Sequence, residues 1–309
     1  MNKILITSLS TVILGQAVEV DFGNGTFGMQ GGFLGLTGEI DCDIATFSIA
    51  NRHDNIDRFY YGYDLTWYDS KRMIQAQHTY NAMASAGNQI LNNIPLGENA
   101  TIPEMEYRLK GMDVNLQFGY DLLHESDDDY IAAGLLLGIS MPWIDATKSD
   151  STIPNLGFML DNAGNLLDAK DMFDKSKTEL MTYKIGPSIT LQKPLIDKQL
   201  FLFGAASYAY QTGNIKNDYT HADFTVDGTF QSYNIGLQFI PFDHEFEWGW
   251  LTLSSKLYAT LGYRYSKWDL DKMSIDISGN QISSDILAPL AMKFGMDSSV
   301  GYFGIGYQF

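Results

Sequence analysis

The chain has 309 residues, a formal net charge of −17 and one cysteine. The acidic balance excludes a nucleic-acid surface, which needs clustered Lys and Arg. A lone Cys42 excludes an intrachain disulfide and a cysteine-based zinc site, and it reads as a structural residue near a strand end.

Met1-Asn2-Lys3 is a short positive start, and Ile4 to Leu14 is an apolar run of secretory length. Gly15-Gln16-Ala17 then places small residues at the two positions a signal peptidase reads. The run is too short to span a bilayer as a helix. Residues 1–17 are therefore predicted to be a cleaved leader and 18–309 a single domain. No later stretch approaches 18 consecutive apolar residues, so a membrane crossing would have to be made by the strands of a closed barrel.

Alternation at period two runs through the rest of the chain. Phe59, Tyr61, Tyr63, Leu65 and Trp67 oppose Tyr60, Gly62, Asp64 and Thr66. Met112, Val114, Leu116, Phe118, Tyr120 and Leu122 oppose Asp113, Asn115, Gln117, Gly119 and Asp121. Similar segments cover Ile131–Met141, Met181–Gln192, Tyr233–Phe239 and Leu251–Tyr265, with Leu200–Gln211 apolar on both faces. A soluble sandwich also alternates, but its strands usually run about five or six residues. Several segments here are longer and reach the nine to eleven residues a membrane-crossing strand needs. Full charges on the polar faces suit a wet lumen. Asp64, Asp113, Asp121, Lys184, Lys256 and Arg264 are the candidate lumen charges, either filling the barrel as ion pairs or setting the ion preference of a small pore.

Short connections are predicted near 52–57, 124–129, 194–198 and 241–247, and long ones near 70–106, 143–177, 212–222 and 268–297. The long ones all fall on one side of the sheet. The first hairpin, about 32–50, is the weakest of the series. The count is ten strands, within a range of eight to twelve. Met73, Ala76, Tyr80, Met83, Gly87 and Leu91 recur at helical spacing and predict a short helix in the first long loop, packed on the loop cluster in preference to plugging the lumen. Gly279-Asn280, between Met273-Ile275-Ile277 and Ile282, predicts a hairpin.

The chain ends SSVGYFGIGYQF, with Phe303, Ile305, Tyr307 and Phe309 on one face. A terminal Phe, an aromatic two positions before it and alternate apolar residues further back resemble the assembly signal of bacterial outer-membrane β-barrel proteins. The resemblance implies an all-β, transmembrane, antiparallel up-and-down barrel in the outer membrane, with short periplasmic turns and long extracellular loops. It also implies outer-membrane lipid, lipopolysaccharide and the barrel-assembly machinery as partners. Phe303, Ile305, Tyr307 and Phe309 become assembly determinants, not catalytic ones.

Catalytic and metal sets are weak. The close His-x-Ser spacing of barrel phospholipases is absent. His221 with Asp223, and Asp127-Asp128-Asp129, give at most a thin protease pattern, split between opposite ends of the barrel. His53, His78, His124, His221 and His244 show no ligand spacing. Asp161 to Asn165 lacks the acidic alternation of a calcium loop. No catalytic residue, cofactor or metal is expected. The expected role is structural or surface-binding, with a small diffusion pore as the alternative and a barrel protease or lipase third.

Overall fold

The computed structural model describes residues 17–33, 36–56, 58–75, 78–81, 99–102, 104–126, 128–150, 158–160, 166–168, 177–196, 199–218, 222–242, 246–248, 251–253, 256–277, 280–282 and 293–308. Residues 1–16 of the predicted leader, Phe309, His221, His244, Asp127 and residues 161–165 lie outside them.

Ten long strands form the wall: β1 Ala17–Phe33, β2 Leu36–Ile56, β3 Phe59–Ser70, β4 Glu104–Ser126 and β5 Asp129–Asp150. They continue with β6 Lys177–Ile196, β7 Leu200–Asn217, β8 Ala222–Phe239, β9 Leu257–Ile277 and β10 Lys293–Gln308. Each pairs antiparallel with the next. The last pairs with the first, from Ala17↔Gln308 to Gly32↔Lys293, and this seam closes the barrel. Closure leaves no edge to solvate along the wall. Below, the end holding residues 17 and 308 is called the terminal end and the other the far end.

The alternation predicted from sequence becomes inside and outside. On β6 the exposure alternates strictly from Leu180 to Gln192, with Thr182, Lys184, Ser188 and Thr190 buried in the lumen and Met181, Tyr183, Ile185 and Ile189 exposed. Phe22, Phe59, Leu122, Ile235, Leu261, Phe303 and Ile305 are likewise exposed on other strands. The ordinary rule of apolar inside and polar outside is therefore inverted over the terminal half of the wall. Toward the far end the outer face changes to charged and polar groups such as Asp41, Asp43, Arg108, Lys110, Lys216 and Asp269. At about 3.3 Å per residue and a tilt of about 35–45°, a strand of twenty residues stands roughly 50 Å tall.

Several expectations need correction. Met73–Gln75 is a short strand on β4 and His78–Asn81 pairs with Asn99–Ile102, so the start of the predicted helix is β-structure. Its remainder, 82–92, lies outside the described residues. The connection predicted at 212–222 is mostly wall, because Thr212–Asn217 pair with Ala222–Asp227. Conversely, Leu251–Leu253 does not belong to β9. It pairs with Phe246–Trp248 in a small terminal-end hairpin, and β9 starts at Leu257. The hairpin near Gly279 forms with Ile277↔Asn280, so the turn lies one residue earlier than predicted. Cys42 sits inside β2, buried, with Sγ 3.5 Å from the Phe27 carbonyl.

Candidate functional site

The lumen is filled in two layers. The far-half layer is apolar: Phe27, Tyr68, Leu109, Leu136, Phe230, Trp268 and Leu270 come from six strands and are buried. Phe27 lies 5.5 Å from Tyr68 and 5.9 Å from Trp268, and Phe230 lies 5.4 Å from Trp268, all at favourable ring separations. The indole N–H of Trp268 donates to Ser140 Oγ at 2.9 Å, so its polar atom is satisfied within the packing.

The terminal-half layer is ionic. Arg264 on β9 pairs with Asp64 at 2.8 Å and Asp21 at 3.5 Å, and donates to Thr66 at 2.6 Å and Ser48 at 3.1 Å. One guanidinium thus ties β9 to β1, β2 and β3. Arg52 on β2 pairs with Glu19 on β1, lies 3.9 Å over the Phe203 ring on β7, and reaches Tyr302 Oη on β10 at 3.5 Å. Tyr302 donates onward to Asn234 at 2.7 Å. Thr260 on β9 donates to Glu19 at 2.6 Å, across the intervening β10. The contact passes over Gly304, where a Cβ would run into Asp21, Thr260 and Glu19. The polar contacts therefore staple both sides of the β1–β10 seam. Between the layers, Lys184 is held 3.6 Å from Asp113 and 4.0 Å over the Phe230 ring.

Of the six candidate lumen charges, Asp64, Asp113, Lys184 and Arg264 come together here. Asp121 is also buried, but at the terminal end, 3.3 Å from His124. Lys256 does not belong to the lumen: it is exposed in the turn before β9, and its carbonyl accepts from the Gln308 N–H. Glu19, Asp21 and Arg52 were missed by sequence reasoning. The signal for the first two was present: Glu19, Asp21 and Gly23 alternate with Val18, Val20 and Phe22.

Among the described residues the lumen holds small cavities. A cavity of about 70 Å³ lies beside Arg52, Asn115, Gln117, Asn234 and Arg264, and one of about 30 Å³ lies beside Asp64, Asp113 and Trp268. These have room for a few waters at most.

Elsewhere, Asp223 is engaged by Asn214 at 2.8 Å and Lys216 at 3.2 Å. Asp128 accepts from Gln192 at 3.4 Å, and Asp129 pairs with Lys193. Among the described residues no three His, Cys, Asp or Glu side chains converge as metal ligands.

A barrel closed by ten antiparallel strands, apolar outside and plugged by its own side chains, is the architecture of outer-membrane β-barrel proteins. No family model and no curated protein matches the chain. Solved structures similar to it are outer-membrane barrels. The outer membrane protease OmpT from Escherichia coli superposes with a TM-score of 0.50 at 10% identity, covering 95% of this chain and 97% of that one. The translocator domain of the autotransporter NalP from Neisseria meningitidis follows at 0.36 and 11% identity, covering 100% and 94%. Ail, the attachment invasion locus protein of Yersinia pestis, gives 0.28 and 11% identity, covering 94% and 99%. At these identities the likeness is one of fold.

Proposed function

We propose that the chain is an integral bacterial outer-membrane β-barrel with a sealed lumen, acting as a structural or surface-binding protein and not as a diffusion pore. The sealed lumen carries this reading. The Phe27–Tyr68–Trp268–Phe230 layer crosses the interior, and the layer below it is locked in ion pairs. A solute would have to displace both.

Membrane insertion is supported by the exposed apolar band on the terminal half and by the fold. A bilayer accommodates an apolar band of about 25 Å on such barrels. Strands of twenty residues stand roughly twice that height. The terminal end then faces the periplasm, and the charged far half projects from the cell as a collar that can meet ligands or neighbouring surfaces. The exposed row Phe303, Ile305 and Tyr307 on the closing strand fits the role of an assembly determinant. The likeness to OmpT brings no catalytic residue with it.

The test is conductance of the purified, folded barrel in planar bilayers. The expected result is a silent membrane at voltages where pores of similar strand number conduct. Regular unitary steps from a folded sample would sink the reading.

A further inference from the structure

Of the strands in the wall, β3 is the shortest: it stops at Ser70, while its neighbour β2 reaches on toward the far end as far as Leu36. The stop has a local cause. Between the pairs Asp69↔Lys110 and Met73↔Tyr107, three residues (Ser70, Lys71 and Arg72) face two on β4 (Arg108 and Leu109), so the chain bulges by one residue. Ser70 Oγ accepts from the Leu109 N–H at 2.9 Å and donates to the Lys71 carbonyl at 2.7 Å, so a side chain takes over a backbone partner. A bulged strand bends. Met73–Gln75 resumes pairing with β4 but, among the described residues, not with β2.

The result is a notch in the far end of the wall. One lip is β2 from Leu36 to Asp43, paired with β1 from Leu36↔Phe33 to Asp43↔Thr26. On its other side the last pair is Ile44↔Ser70, and beyond it no strand follows among the described residues. These eight residues extend over about 26 Å, and every second one turns its N–H and C=O toward the open side. The opposite lip is Met73–Gln75. An unpaired edge of this kind is a template for another chain. The side chains at the lips add a preference. Cys42 and Ile44 are buried on the inner side of β2, and Met73 packs on the same apolar cluster from the other lip. Asp41 and Asp43 are exposed on the outer side of β2, with no ion pair among the described residues, and Ile74 is exposed across from them. A strand filling the notch would therefore alternate, with apolar side chains inward onto Cys42 and Met73 and Lys or Arg outward beside Asp41 and Asp43.

We propose that the notch between β2 and Met73–Gln75 takes up an extended, basic segment of a partner protein by adding it to the wall as a strand. The site rests on the surface-binding reading above and adds to it a place on the far end and a class of partner. Backbone hydrogen bonds to the β2 edge supply affinity, and the two aspartates supply selectivity for charge.

The test titrates the full-length folded barrel in detergent with a short synthetic peptide of alternating Val and Lys. Fluorescence anisotropy reads binding, and amide hydrogen exchange maps it. The expected result is saturable binding with new protection confined to residues 36–43 and 73–75. The double variant Asp41→Asn, Asp43→Asn should weaken binding about tenfold, or about 1.4 kcal/mol, while Asp223→Asn on β8 should leave it unchanged. A Val–Glu peptide should not bind. Nor should a Val–Lys peptide methylated at every second backbone nitrogen, which keeps its charge and loses the donors of one edge. Undiminished binding of the methylated peptide, protection at other strands, full protection of 36–43 before any peptide is added, or barrels dimerised through β2 would each overturn the proposal. Unitary conductance steps from the peptide-free barrel would instead overturn the sealed-barrel reading and leave peptide binding measurable, so the two failures are distinguishable.

Discussion

The two halves of the lumen solve one problem by opposite means. In the far half, aromatic and aliphatic side chains from six strands fill the bore by shape. In the terminal half, Arg264 and Arg52 fill it by charge, each bridging strands that are not neighbours in the sheet. An apolar plug tolerates small losses gradually, because contacts are many and individually weak. A buried ion network does not, because removing one member leaves its partners charged, desolvated and unpaired. The ionic half should be the more brittle one, and its polar contacts staple both sides of the β1–β10 seam.

The largest effect is expected from Arg264→Ala. Asp21 and Asp64 lose their shared cation, and breaking a buried pair of this kind costs about 3–5 kcal/mol. The heat-induced change from compact to unfolded migration on a gel should fall by many degrees, with faster amide exchange at β1 and β10 than at β5 and β6. Uniform loss of protection around the barrel would remove the special role of the seam.

Trp268→Ala comes next, at about 3 kcal/mol, toward the low end for a large aromatic. It removes the ring that contacts both Phe27 and Phe230, and the hydrogen bond to Ser140. Because the ionic layer still blocks the bore, the variant should be less stable yet remain silent in planar bilayers. A conducting Trp268→Ala barrel would show that the apolar layer alone forms the seal.

The smallest effect belongs to the outer wall. Arg108→Ala removes a two-point contact with Asp69, but both side chains are largely solvated, at 40% and 45% exposure. Exposed pairs contribute little, so the unfolding temperature should not move measurably. A loss comparable to that of Arg264→Ala would erase the contrast between interior and exterior ion pairs.

Sequence reasoning worked where period two was reinforced by two unlike environments. On β3, β4 and β6 the apolar residues face outward and the polar ones inward, so alternation is sharp and the strands were legible. Beyond the apolar band both faces of the wall change character. Thr212–Asn217 carries Gly213, Asn214 and Lys216 in the same run as Ile215, and it read as a loop although it is paired throughout. The helical spacing that begins at Met73 is overridden at Met73–Gln75 by pairing with β4 and at His78–Asn81 by pairing with Asn99–Ile102.

By itself, the sequence determined the class of fold, a count of about ten strands within a range of eight to twelve and, for most positions, which face each residue occupies, because these follow from local alternation and from where turns interrupt it. It also marked Asp64, Asp113, Lys184 and Arg264 as inward charges. Only the tertiary structure decided which charges meet. Glu19 and Thr260 lie 241 positions apart, and Arg52 and Tyr302 lie 250 apart. Closing the sheet on itself brings such residues within bonding distance across the lumen, and the register of the β1–β10 seam, which no local pattern encodes, sets which of them face each other.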